Sequence, residues 1–485
     1  MNQIDINPEP QHKTPPYLFM QFMEPLGNTD PSVEAGWDFV HQRWKPELVT
    51  KIKELNPGCI RWGGCFTDYW KWQEGVGDRS KRKQMINYLW GGLESNQVGI
   101  NEFIHLCQMT GSEPLVAVNF KSDGRPRYLE QNRAGTPQEA AELVSYCNDP
   151  NNSDRITHGY EEPYRVKLWQ IGNETSYPPA GKRFTAEENA DNFLKFARAM
   201  KKKDPEIKLI GWGGQERGTE KWWLESLVDT AGDYLDYVAF HMMQQQPVRD
   251  DTILTGRKYM QDRKQAWKEL NEIYKSVKRK LNKAREVTKV AGAGVKLAIT
   301  EGHLSLKPHN RNLLLNEWLA GLYHARIMNL YIRNSDLVKI STLSDFFGNR
   351  WTVNSINLGD GNPFLTPSGI IMKFFKKHMG KDILKTPETS PEIDISISKN
   401  DNQIFINIVN SDLEKEKLLN FSVTDYNIKS AEKFEIAVDI ASYVDSEAPD
   451  TINPEKYKIA AANNKNIEVS ISPASVSVIK LKIIK

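Results

Sequence analysis

Cysteine is scarce in this 485-residue sequence: Cys59, Cys65, Cys107 and Cys147 are the full set, and all fall in the first third. None pair in a C-x-x-C spacing, so a cysteine-built zinc site is excluded, and free thiols in a reducing compartment are expected. The opening stretch, MNQIDINPEPQHKTPPYLFM, lacks the basic start and apolar core of a secretory leader. The cytoplasm is therefore the expected compartment for the sequence as it stands; a trimmed leader would make it periplasmic or secreted. No apolar run approaches the roughly 20 residues of a membrane span, so no membrane partner is expected. A surplus of one charge is also missing, with 64 basic against 62 acidic residues and a net charge of +2. That balance gives no support for nucleic-acid binding. The densest basic stretch, 275–289 (KSVKRKLNKAREVTK), reads as the solvated face of a polar helix.

What is present is enough apolar and aromatic residue, 39% and 10%, to build a folded core. Short apolar runs recur between helix-like segments: 17–24, 59–62, 115–119, 166–174, 208–212, 237–241, 295–301 and 338–343. Eight such runs alternating with helices predict an α/β fold, a (β/α)8 TIM barrel spanning 17–380. An open doubly wound sheet would bring a glycine-rich phosphate loop after its first strand, and Glu24-Pro25-Leu26-Gly27 is not one. A Thr-x-x-Glu pattern at Thr185 and Glu188 predicts a helix from 185 to 202, and another is expected over 368–379. From residue 381 the texture changes to period-two runs, at 393–397, 403–409 and 475–481, which predict a C-terminal antiparallel β-sandwich over 381–485. Residues 1–16 form a separate N-terminal segment free to join it.

Two of the barrel runs end in glutamate: Ile171-Gly172-Asn173-Glu174 and Leu297-Ala298-Ile299-Thr300-Glu301. The mouth of a parallel barrel gathers strand tips from the whole chain into one cavity. Two carboxylates so placed are what a retaining glycosidase needs, one to protonate the leaving oxygen and one to attack the sugar carbon. Partial burial beside a second carboxylate would raise the acid's pKa into the working range. Trp169, five residues before Glu174, is expected to pack in the barrel. His303 and His309 lack a third ligand at workable spacing, so neither a metal nor another cofactor is expected.

Several segments, in order, resemble the α-L-arabinofuranosidases of glycoside hydrolase family 51. They are Glu24-Pro25-Leu26-Gly27, Arg61-Trp62-Gly63-Gly64-Cys65-Phe66, the run from Tyr69 to Gly77, the run from Glu113 to Asn119, 135–141, Tyr146-Cys147-Asn148, and above all Ile171-Gly172-Asn173-Glu174. The resemblance covers most of the chain. It implies Glu174 as acid/base, Glu301 as nucleophile, and Arg61 as the cation facing that nucleophile and lowering its pKa. It also implies Glu24 and Asn173 as partners of sugar hydroxyls and His241 as a histidine beside the nucleophile.

The sequence departs from that family where the sugar would lie. Cys65 stands in place of an asparagine in a loop one residue shorter, Met243 in place of a tyrosine, and Asp345 in place of a glutamine. Gly302-His303 follows Glu301, where the family has Trp-Asn. The resemblance thus implies a retaining, exo-acting hydrolase acting on arabinose side chains of oligo- or polysaccharides, with a changed sugar preference and weak activity on the simple arabinofuranoside. Two other readings stay open: an endo-β-glycanase with a cleft lined by Trp70, Trp72 and Trp212, and an inactive carbohydrate-binding protein. A homo-oligomer is compatible with the sequence.

Overall fold

The structure is a computed structural model that describes residues 2–120, 133–177, 184–216, 218–292, 294–459 and 465–485. Its largest sheet carries the apolar runs in parallel, in the spatial order Met20–Met23, Cys59–Trp62, Glu113–Val118, Leu168–Ile171, Lys208–Trp212, Tyr237–His241, Lys296–Glu301, Val338–Ile340. Parallel strands covered on both faces need apolar residues throughout, which is why these segments read as unbroken hydrophobic runs. The sheet curls, and a parallel bridge joins Tyr17 to Ile340, with the Met20 N–H donating to the Ser341 carbonyl at 2.9 Å.

Alternation along each strand separates two layers. Leu115, Leu168, Ile210, Ala298 and Ile340 share one cluster inside the curl, while Trp169, Val116 and Leu209 join the larger core beneath the helices. Trp169 therefore packs on the outer face of the sheet, with its Nε1 donating to the Val166 carbonyl at 2.9 Å. The eighth strand stops at Ile340, short of the expected Leu343. Beyond it Thr342 Oγ1 donates to the Ser344 carbonyl at 2.8 Å and turns the chain. A further strand, Asp345–Gly348, then pairs beside Met20–Met23 with Asp345 opposite Phe22.

The helix after the fourth strand runs Ala186–Lys203 behind an N-cap at Thr185. Thr185 Oγ1 accepts from the Glu188 N–H and Glu188 Oε2 accepts from the Thr185 N–H, both at 3.0 Å, the reciprocal box its sequence foretells. The final barrel helix spans Pro367–Lys377.

The C-terminal domain holds two sheets. One has seven strands, from Pro10–Lys13 at one edge to Glu455–Ile459 at the other, with Gln403–Asn410 and Ser475–Ile484 paired at its centre. The other is three-stranded: Asn2–Ile6 lies parallel to Lys417–Val423, which pairs antiparallel with Asn466–Ile471. Ile4, Ile6, Ile395, Ile406, Phe421 and Ile467 meet in one apolar core shared by both sheets. The domain is fastened to the helices of the first: Asp394 takes Arg333 at 2.7 Å and the Tyr274 hydroxyl at 2.8 Å, and Trp318 Nε1 donates to the Ala474 carbonyl at 2.8 Å.

Thr185→Ala removes the acceptor of the cap, and we expect a loss of about 1 kcal/mol. Hydrogen exchange at the Glu188 amide reads this directly; unchanged exchange would show that the cap contributes nothing to the helix.

Candidate functional site

The C-terminal ends of the parallel strands deliver their acids to one cavity of about 800 Å³. Glu24, Cys65, Glu174, Met243, Glu301 and Asp345 line it. Arg61, Asn173 and His241 stand behind that wall and grip the residues on it.

Arg61 is wholly buried in the second strand. Its Nη1 donates to Glu301 Oε1 at 2.9 Å and more weakly to the Thr300 carbonyl at 3.4 Å, its Nε to Gln170 Oε1 at 2.8 Å, and its Nη2 to Asn173 Oδ1 at 2.6 Å. The remaining Asn173 amide faces the Cys65 sulfur at 3.9 Å. Glu174 takes a left-handed backbone, φ 51°, after Gly172 at φ 89°. This turn costs a non-glycine residue roughly 1 kcal/mol and aims the carboxyl across the mouth.

His241 ends the sixth strand opposite Glu301, at an irregularity in the pairing after Phe240. Such a bulge re-aims the side chains at a strand tip. His241 Nδ1 lies 2.8 Å from Glu174 Oε1 and 3.4 Å from Glu301 Oε2. Burial pushes its pKa down to about 3 against the pull of Glu301, so the ring is neutral. Its Nδ1 faces both carboxyls, and a neutral ring protonated there donates to an ionised one. Nε2 is buried without a hydrogen-bond partner.

Burial also raises the pKa of Glu301, although His241 and Arg61 pull it back down. The expected lowering by Arg61 is therefore present but outweighed by desolvation. Glu24 is pushed well above its ordinary range by burial and by Glu301, despite N–H bonds from Trp90 and Phe66, each at 3.0 Å. Cys65 Sγ faces Glu174 Oε2 at 3.4 Å; burial and that carboxylate hold the thiol protonated. Glu174, His241 and Glu301 offer donor atoms within 4.8 Å of one another, the one such group among the described residues. The Arg61 guanidinium on Glu301 opposes a further cation there.

The aromatic residues differ from expectation. Trp70, Trp72 and Trp212 are buried in the core, Trp70 against Trp62 and Phe66, because spacing alone does not tell a cleft wall from a packed layer. Trp90 and Trp351, edge-to-face at 5.5 Å, line the cavity instead. Sequence reasoning also missed Gln170, which no motif marks, and Lys280. The latter leaves the basic helix to line the cavity, donating to the His241 carbonyl at 2.8 Å. Desolvation lowers its pKa to about 8.

The fold has close counterparts among solved structures. The thermostable GH51 α-L-arabinofuranosidase of Thermotoga petrophila superposes with a TM-score of 0.78 at 22% identity, covering 99% of this chain and 100% of that one. The Thermotoga maritima α-L-arabinofuranosidase, solved as an arabinose complex, gives 0.76 at 22%, with the same coverage. Residues 51–269 match the family model of the α-L-arabinofuranosidase 1 domain, and residues 305–475 that of the α-L-arabinofuranosidase C-terminal domain. The chain belongs to the arabinofuranosidase-like family 51. Among curated relatives of this family 51 chain, the intracellular exo-α-(1→5)-L-arabinofuranosidase of Acetivibrio thermocellus is 34% identical over 205 residues, 41% of this chain and 38% of that protein. Its Halalkalibacterium halodurans namesake is 31% identical over 234 residues, 46% and 44% respectively. The matched stretch thus spans less than half the length of either relative.

Gly64 is the tightest constraint in the family 51 site. It sits at φ 119°, and a Cβ there would come within 2.3 Å of the Glu24 carboxyl. Gly64→Ala should displace Glu24 from the Phe66 and Trp90 N–H groups and cost about 1–3 kcal/mol. Denaturant titration and a crystal structure of the variant check this; an unmoved Glu24 carboxyl would refute it.

Proposed function

We propose that the protein is a retaining, exo-acting glycoside hydrolase with α-L-arabinofuranosidase activity on side chains of oligo- or polysaccharides. The observation that carries this reading is a carboxylate oxygen of Glu174 within 4.8 Å of one of Glu301. Retaining glycosidases keep their two carboxyls about 5 to 5.5 Å apart, whereas inverting ones leave a wider gap for water. The names of the curated relatives and the match to both family models support the same activity.

In this reading Glu174 is the general acid and then the base. The neutral His241 bonded to it can hold its charge while the proton is away. Glu301 is the nucleophile, oriented by Arg61, whose guanidinium at 2.9 Å favours its ionised form against the burial that opposes it. Glu24 binds sugar hydroxyls. Cys65, Met243 and Asp345 shape the sugar pocket, and Asn173 positions Arg61 while offering its amide towards the pocket.

The reading includes a closed (β/α)8 barrel over 17–380 and a β-sandwich over 381–485 completed by residues 1–16. The Tyr17–Ile340 bridge and the pairing of Asn2–Ile6 and Pro10–Lys13 with C-terminal strands support that division. The endo-acting alternative loses the tryptophan-lined cleft on which it rested, since Trp70, Trp72 and Trp212 are core.

Glu174→Ala should slow hydrolysis of natural glycans by at least ~100-fold, yet leave aryl glycosides with good leaving groups far less affected. Added azide should restore part of the rate by entering the vacated space, and proton NMR should show the anomeric configuration kept. Equal losses on both substrate types without azide rescue, or an inverted product, would rule out these roles.

A further inference from the structure

Two departures from the family pattern, far apart in sequence, meet in space. His303 stands where the family has an asparagine after its nucleophile, and Asp345 replaces a glutamine. In the structure His303 Nδ1 lies 2.9 Å from Asp345 Oδ1, with side chains 8% and 6% exposed, and both line the cavity with Glu174 and Glu301. The mechanism above places Asp345 among the residues that shape the sugar pocket and gives His303 no role.

Their bonding leaves a defined remainder. Nδ1 is spent on Asp345, so Nε2 is the ring atom left, a donor when the ring is charged and an acceptor when it is neutral; Oδ1 is spent on His303, so Oδ2 is the acceptor left on the carboxylate. Burial works against a charged His303, but Asp345, then Glu301 and Glu174, outweigh it and raise its pKa. That pull favours the charged ring, in which both nitrogens donate. An asparagine and a glutamine in these places would offer neutral amides instead.

We propose that His303 and Asp345 act as one specificity element that grips two neighbouring hydroxyls of the bound sugar, His303 Nε2 bonding one and Asp345 Oδ2 accepting from the other. This rests on the glycosidase reading of the cavity and narrows its substrate: the sugar carries an intact vicinal diol, and deoxygenation or acylation there excludes it. A buried site made to bond a hydroxyl discriminates strongly against the analogue lacking it, because its own polar groups are left unpaired. The two residues must also change together. Asp345→Gln alone leaves the buried His303 ring without its anionic partner, and His303→Asn alone leaves the buried carboxylate without its ring donor.

The test compares the unaltered protein with His303→Asn, Asp345→Gln, the double variant and the isosteric Asp345→Asn. Substrates are nitrophenyl α-L-arabinofuranoside and its 2-, 3- and 5-deoxy analogues, and calorimetric titration with L-arabinose and the matching deoxy sugars runs alongside. In the unaltered protein, the two deoxy sugars lacking the gripped hydroxyls should lose at least ~100-fold in kcat/KM. That penalty should fall below ~10-fold in the double variant, and each single variant should be at least as impaired on the parent sugar as the double. Deoxy penalties that survive in the double variant, or single effects that multiply, overturn the proposal. Absence of turnover on every furanoside by the unaltered protein would instead sink the glycosidase reading. The pair would then be judged on calorimetry, where equal binding of L-arabinose by all five proteins overturns it.

Discussion

The buried guanidinium of Arg61 is the interaction on which the rest of the site depends. A cation this far from water is tolerable only if its N–H groups are met by acceptors and its charge by a carboxylate. Gln170, Asn173, Glu301 and the Thr300 carbonyl meet it from the fourth and seventh strands, so one side chain ties three strand ends together. Glu301 cannot drift without uncovering the cation, and Asn173 cannot rotate without losing a bond at 2.6 Å. Glu174 follows Asn173 directly, so the placement of both acids relates back to this charge. His241 completes the arrangement from the sixth strand by standing between the two carboxylates.

The same layer shows how polar groups are kept in a sheet interior without disrupting it. Gln21 accepts from the Ser355 hydroxyl at 2.6 Å, and Ser355 also meets Ser344, so the polar stratum below the cavity is bonded internally. Above it Glu24, Glu301 and Asp345 each meet one or two side-chain or backbone groups and line the cavity. Carboxylate oxygens have room for more than one donor each, so a polar ligand in the cavity can add hydrogen bonds to theirs. A fully satisfied site would be more stable and would have less to offer a sugar.

Much of the fold was legible because parallel strands covered on both faces leave little choice of residue. The segments 59–62, 208–212 and 237–241 coincide with their strands, and Glu174 and Glu301 are conspicuous because each follows such a run. The capping box at Thr185 is a local pattern and was readable for the same reason. Pairings across the chain were not. Nothing near Gln170 announces an arginine partner on another strand, and Lys280 sits in a run of basic residues indistinguishable from a solvated face. The three tryptophans that the endo-acting alternative would place in a cleft are core instead, because an aromatic residue beside a strand suits either side of it. His303 and Asp345 each stood out as a departure, but only the fold reveals that they are one pair.

The first strand, Asn2–Ile6, has its partner at the far end of the chain, with Asp5 and Ser422 separated by 417 positions. During synthesis those residues leave the ribosome long before the segment that covers them exists. Ile4 and Ile6 are then without their apolar partners while the curled parallel sheet and its helices are made. The cost of closing so long a loop grows only slowly with its length, so the finished pairing is not penalised for its span. What the span does set is a sequence of availability: Asn2–Ile6 can take its place in the three-stranded sheet only after Lys417–Val423 has been made.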